Sequence, residues 1–201
     1  MTASLTPAHR SLDPRSKDHR ALERAGLLPR PAVPPSPRVP LHLVAAEGQL
    51  QVHTASYRGS FSSVLSQAVR SAGLGSRVLI VQFLKGGVDQ GPGGRVQICG
   101  GLTWLRPAIP ACVEQADHPG AAKAVEAIWQ ICQQHLLAGD LDQLVLDEVG
   151  LAVGLGYLQE QELIEMLQQR PGSMDVIITG PSIPSSVMEM ADQVTELRRG
   201  F

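Results

Sequence analysis

Cysteine is scarce in this chain: Cys99, Cys112 and Cys132 are the only three in 201 residues, and they form no C-x-x-C pair. That spacing argues against a disulfide framework and a thiolate zinc site, fits a reducing cytosol, and leaves the three thiols as expected small hydrophobes of the core. Excess positive charge is missing too, since 17 Lys and Arg against 19 Asp and Glu leave a formal charge of −2. Without an overall basic field a nucleic-acid backbone cannot be held by counterion release, so no nucleic-acid partner is expected. No apolar run reaches the ~18 to 20 residues of a membrane helix, and the N-terminus lacks the unbroken apolar core of a secretory signal. The expectation is a cytoplasmic protein with no membrane partner. His42, His53, His118 and His135 show no metal-ligand spacing, so no zinc site is expected from them.

What is present divides unevenly. Residues 1–40 hold eight of the 15 prolines, with seven Lys or Arg against three acids, so this stretch carries +4 and the remainder −6. The runs Pro29-Arg30-Pro31 and Pro34-Pro35-Ser36-Pro37-Arg38-Val39-Pro40 lack backbone donors and apolar periodicity; such a segment does not join a sheet or bury a helix face. Residues 1–47 are therefore expected to be a flexible extension, and residues 48–201 the folded domain. From Leu41 onward short β-rich runs alternate with helical stretches, the pattern of an α/β domain with a mostly parallel sheet. Length and bounding turns predict strands at Leu50–His53, Arg77–Phe83, Val96–Cys99, Gln143–Asp147, Asp175–Thr179 and Val194–Leu197. Helices are predicted at Ser62–Ser71, Ala121–Leu137, Glu160–Gln169 and Ser185–Ala191.

Ligands of such sheets bind at the carboxyl ends of strands. The first predicted strand runs through Thr54-Ala55-Ser56-Tyr57-Arg58-Gly59-Ser60-Phe61-Ser62 into a helix, the position of a phosphate-binding loop. The fourth closes Leu144-Val145-Leu146-Asp147-Glu148, an apolar run ending in two carboxylates, as where a Walker B strand reaches a metal shell; an acid after a buried strand also simply caps helices. The second ends Phe83-Leu84-Lys85-Gly86 and places a lysine at the same sheet edge. Gly100-Gly101-Leu102-Thr103-Trp104 puts one of two tryptophans in what reads as a glycine-bounded loop, where it can pack on a flat apolar ligand. The other, Trp129, falls on the core side of a long helix. Arg198 and Arg199 end the sixth strand and are either phosphate ligands or a solvated terminus.

In this order the motifs resemble the P-loop type of ATP:corrinoid adenosyltransferase. The resemblance is carried by Thr54–Ser63, Val81-Gln82-Phe83-Leu84-Lys85-Gly86, Gly101-Leu102-Thr103-Trp104, Val145-Leu146-Asp147-Glu148, Gly156-Tyr157-Leu158, Arg170-Pro171, Val176–Gly180 and Ala191–Leu197. It implies a RecA-like P-loop fold, a mostly parallel sheet of about six strands with helices on both faces. It also implies ATP and Mg2+ as cofactors, a corrinoid as substrate, and a homodimer as a common assembly. By that likeness Thr54, Ser56, Arg58, Gly59, Ser60, Ser62 and Lys85 would bind the nucleotide, Leu102 and Trp104 the corrinoid, and Asp147 and Glu148 the metal. The reduced cobalt of the substrate would attack the 5′ carbon of ATP and release triphosphate, with apolar groups keeping the cobalt's lower face free.

The chain departs from that family at the ligand-facing edge. The family loop reads T-G-x-G-K-G-K-T-T; here two of its three glycines fall on Ala55 and Tyr57 while Gly59 is kept, its lysines fall on Arg58 and Ser60, and its first threonine on Phe61. The phosphate lysine and the metal hydroxyl are thus both absent, and losing two charge-assisted contacts should weaken nucleotide binding by roughly 10² to 10⁴. A phenylalanine place is Leu102, the asparagine after Asp-Glu is Gly150, and the arginine after Thr-Gly is Pro181. Two functions are compatible with this: a transferase with a divergent site, in which Arg58, Lys85 and a C-terminal arginine hold the triphosphate, or a non-catalytic corrinoid-binding, delivery or regulatory protein.

Overall fold

The computed structural model describes residues 47–59, 61–87, 96–98 and 100–198, all within one compact unit, Val44–Phe201. The extension expected over residues 1–47 lies outside them but for Glu47, as do Ser60, Cys99 and Arg199. The strands are β1 (Leu50–Ala55), β2 (Val78–Gln82), β3 (Val96–Ile98), β4 (Leu102–Leu105), β5 (Gln143–Asp147), β6 (Asp175–Gly180) and β7 (Gln193–Leu197). The helices are α1 (Ser62–Gly73), α2 (Ala121–Ala138), α3 (Val149–Gly154), α4 (Glu160–Gln168) and α5 (Ser185–Met190).

The strands form one sheet in the order β3-β4-β2-β5-β6-β1-β7. Six run parallel, and β3 pairs antiparallel with β4 at the edge. Every residue of β2 and β5 is buried, as continuous apolar runs covered on both faces require. On one face Leu79, Val81, Leu144, Leu146 and Ile178 pack with residues of α2 to α5, among them Trp129, Val149, Leu163 and Val187. The opposite face, with Val78, Ile80, Val145 and Ile177, packs on Val64, Ala68 and Ala72 of α1, a four-residue spacing that keeps small side chains on one stripe. Trp129 is a core residue as expected, its ring tilted 57° to that of Phe83 at 6.2 Å. Helix α2 ends at Gly139, whose φ of 62° turns the chain so that its N–H reaches the carbonyls of His135 and Leu136, a left-handed cap that glycine adopts without strain.

Two elements differ from expectation. Leu102–Leu105 is a parallel strand rather than a loop, because it pairs with β2 in the register Val78 to Leu102 through Val81 to Leu105. Gly101 lets the chain pass so close to β2 that a Cβ there would lie 2.4 Å from the Ser76 carbonyl oxygen, and Val78 donates its N–H to the Gly101 carbonyl at 2.8 Å. The glycines that read as a loop boundary are what bring the strands together. Helix α3 has two glycines in six residues and is held by its packing on the core rather than by propensity.

Candidate functional site

From β2 the chain moves outward to β4, and from β5 it moves the other way to β6. The carboxyl ends of β2 and β5 therefore flank a switch point of the sheet, where crevices form. Gln82 and Asp147 close these strands in direct register. Asp147 is 1% exposed and accepts three hydrogen bonds, from Gln82 Nε2 at 2.7 Å, Lys85 Nζ at 2.6 Å and Thr179 Oγ1 at 2.7 Å. A buried carboxylate so surrounded has its charge and nearly all of its lone pairs met.

Glu148 follows in the left-handed region, φ 64° and ψ 22°, a conformation that costs a non-glycine residue about 1 to 2 kcal/mol. Its N–H donates to the Thr179 carbonyl at 2.7 Å and its own carbonyl accepts from Ala152, so the turn is fixed from both sides. Gly180 is required alongside, because its φ is +125° and a Cβ would approach Glu148 Cα to 3.0 Å. The turn aims the Glu148 carboxylate at the loop after β1, where Arg58 donates to both its oxygens, Nε to Oε1 and Nη2 to Oε2, each at 2.8 Å. These hydrogen bonds raise the Arg58 pKa above its usual value against the opposing effect of burial.

Arg58 also ties down two further loops, donating from Nη1 to the Val113 carbonyl at 2.7 Å and from Nη2 to the Leu84 carbonyl at 3.1 Å. Around it the bend has an apolar filling. Phe61 is 3% exposed and packs with Ala55, Val64 and Val145, and Tyr57 lies against the same cluster. The Tyr57 ring also covers Gly59, where a Cβ would come within 2.7 Å of Tyr57 Cε2. The aromatic side chains thus occupy the bend itself, while space remains beside the carboxylates. A cavity of about 570 Å³ lies there, bounded by Arg58, Gly59, Lys85, Trp104 and Glu148, large enough for a cofactor-sized ligand.

Of the other expected nucleotide ligands, Thr54 lies within β1 opposite Gly180 and Glu196, and Ser56 and Ser62 are exposed at the two ends of the bend. None of these three lines the cavity. Ser60 falls outside the described residues. Leu102 has no exposed surface and belongs to the core beneath α1, so of the two corrinoid candidates only Trp104 reaches the cavity wall. Arg198 is exposed and bonded to Glu196 at 2.8 Å. Gly150 explains the missing asparagine: a Cβ there would meet Ile183 Cα and the Ser182 carbonyl oxygen at 2.8 Å.

The sequence reading missed Gln82, Arg106, Cys112 and Glu114, which share the cavity wall. Gln82 joins its two sides, because its Oε1 accepts from Trp104 Nε1 at 3.1 Å and Arg106 Nε at 2.7 Å while its Nε2 donates to Asp147. An amide ending an apolar strand, Val78-Leu79-Ile80-Val81-Gln82, was the available signal, since buried polar groups need partners. Arg106 became visible only with β4, whose pairing aims Trp104 and Arg106 at that amide. Cys112 is exposed, against the expectation of a core thiol, whereas Cys132 is buried and its thiol pKa is raised by burial.

A magnesium ion does not suit this donor set. A hard cation needs open carboxylate or hydroxyl oxygens, yet Asp147 carries Lys85, Glu148 carries Arg58 in a bidentate pair, and the hydroxyl place is held by Phe61. Among the described residues no group of three or more His, Cys, Asp or Glu is arranged to hold a metal, and no helix is long and apolar enough to cross a membrane.

Known proteins resemble this chain along most of its described residues. Residues 46–200 match the family model described as ATP:corrinoid adenosyltransferase BtuR/CobO/CobP. The corrinoid adenosyltransferase CobA of Salmonella typhimurium is 32% identical over 159 residues, covering 75% of this chain and 76% of that protein. The corrinoid adenosyltransferase of Pseudomonas aeruginosa is 31% identical over 160 residues, covering 75% and 74%, and that of Escherichia coli K12 is 30% identical over 159 residues, covering 75% and 76%.

Proposed function

Because this chain belongs to the ATP:corrinoid adenosyltransferase family, we propose that it transfers the 5′-deoxyadenosyl group of ATP to the reduced cobalt of a corrinoid. The observation that carries this reading is the cavity of about 570 Å³ between the Asp147-Glu148 turn and Trp104. In the reaction the cobalt of the substrate supplies an electron pair, a cobalt–carbon bond forms at C5′, the C5′–O bond breaks, and triphosphate leaves. The chain's own part is positioning. Lys85 faces the leaving phosphates, Trp104 offers a flat apolar wall for the corrinoid, and Gln82 keeps the indole and Asp147 in fixed relation. No step is assigned to magnesium, whose place the paired carboxylates do not suit. The family's nucleotide loop is represented by Arg58 and Gly59, with the domain spanning residues 48–201. The unpaired thiols of Cys112 and Cys132 fit a cytoplasmic setting, and the exposure of Val194 and Leu197 on the outermost strand β7 fits a homodimer.

A second reading is favoured by a separate observation. Phe61 fills the bend and Asp147 already has three donors, an arrangement suited to a protein that binds or delivers a corrinoid without transferring to it. The absorbance change on adenosylation of reduced corrinoid by the wild type separates the two, read beside a Ser60→Lys, Phe61→Thr double variant. Turnover by the wild type supports the transferase. Corrinoid binding without turnover, together with activity gained in the double variant, supports the binding protein.

A further inference from the structure

We propose that the cavity takes its anionic ligand on Lys85 and Arg106 as the metal-free anion, with the chain's own cations in the place of a divalent ion. The inference rests on the reading of this cavity as the nucleotide site, but its test requires no transfer.

The count of open donors carries the argument. A guanidinium has five N–H groups and an ammonium three. Arg58 directs four of its five at Glu148, Leu84 and Val113. It is a fastener of the rim with little left for a ligand. Lys85 gives one of its three to Asp147. Arg106 gives only Nε, to Gln82, which leaves four N–H groups open among the described residues; its guanidinium carbon is 5.8 Å from the centre of the Trp104 ring. Of the two arginines, the one outside the family loop is therefore the better placed to grip an anion.

Charge leads to the same place. Asp147 and Glu148 are neutralised by Lys85 and Arg58, and the exposed rim carboxylate Glu114 acts on Arg58, which leaves Arg106 with no carboxylate in ion-pair distance among the described residues. A divalent ion would have to displace two cations from carboxylates that are 1% and 2% exposed at their side chains, leaving those cations without their partners. An anion needs only the donors that Lys85 and Arg106 already present. A short polyphosphate is the chemical class that fits, since its oxygens can accept from both.

Calorimetric titration of the full-length protein with inorganic tripolyphosphate, once in EDTA and once in excess magnesium, tests this. Binding is expected in EDTA, with no gain from magnesium. Arg106→Gln should weaken it about 10- to 100-fold, and Glu114→Gln, which removes only an opposing exposed charge, should tighten it. Binding that appears only with magnesium, binding indifferent to both substitutions, or none at millimolar tripolyphosphate in either buffer would overturn the proposal. Tripolyphosphate binding in EDTA without adenosylation would leave it standing and remove the transferase reading; adenosylation that depends on magnesium would do the reverse.

Discussion

The carboxyl ends of β1 and β5 lie on either side of β6, and they have been resolved in opposite ways. After β1 the chain closes over an apolar filling, with Phe61 buried and the Tyr57 ring over Gly59. After β5 it keeps a buried carboxylate pair in a connected network with Gln82, Thr179, Lys85 and Arg58. The first end has become part of the hydrophobic core; the second remains polar and borders the cavity. Arg58 belongs to the first and acts in the second. The cavity beside β5 stands whatever fills the bend after β1, because the strand ends are positioned by the sheet and not by the loop.

The largest test of this contrast is Phe61→Ala. If the bend is core, removing a ring 3% exposed should cost about 3 to 5 kcal/mol in denaturant unfolding. A loss below about 1 kcal/mol would mean that the bend is a surface loop and the contrast fails.

Next in size is the fastener. Arg58→Met takes both hydrogen bonds from the buried Glu148 carboxylate and leaves it only the Lys85 ammonium at 3.8 Å; it should destabilise by about 2 kcal/mol, discounted for the partial exposure of Arg58. Adding Glu148→Gln removes the stranded charge and should restore part of that loss. The double-mutant cycle measures the coupling directly; simple additivity of the two losses would show that Arg58 stabilises the rim through its bonds to Leu84 and Val113 rather than through Glu148.

The same contrast explains what could be read in the sequence. Leu144-Val145-Leu146-Asp147-Glu148 was legible because a continuous apolar run closed by acids is a local pattern, and the strands at 50, 78, 143, 175 and 193 follow from equally local runs. Strand β4 was not, since Leu102-Thr103-Trp104-Leu105 becomes a strand only through pairing with β2 and its glycine flanks imitate a loop. Arg106 was hidden with it. The pairing of Arg58 with Glu148 joins residues 90 positions apart and depends on a left-handed turn at Glu148 that the residue type does not favour. Substitutions in a motif show which groups are gone; only the fold shows which neighbours have taken their partners.

The smallest expected effect concerns β1 itself. His53 stands in the middle of that strand, in register with Thr179 and Thr195, and burial lowers its pKa from the usual 6.5. The neutral ring is thus favoured in the folded chain, while the unfolded chain takes up its proton at higher pH. The unfolded state binds more protons between the two values, so stability rises with pH across that window. This contribution is complete above the ordinary histidine range, declines as pH falls from it toward the folded value, and is constant below both. Unfolding free energies of the wild type and His53→Gln, compared from pH 8 to pH 5, isolate the effect from His118 and His135, which both proteins retain. The wild type should lose more stability than the variant on acidification. Parallel curves would show that His53 is as well hydrated as in the unfolded chain, and that the apolar character of the first strand end stops at Ala55.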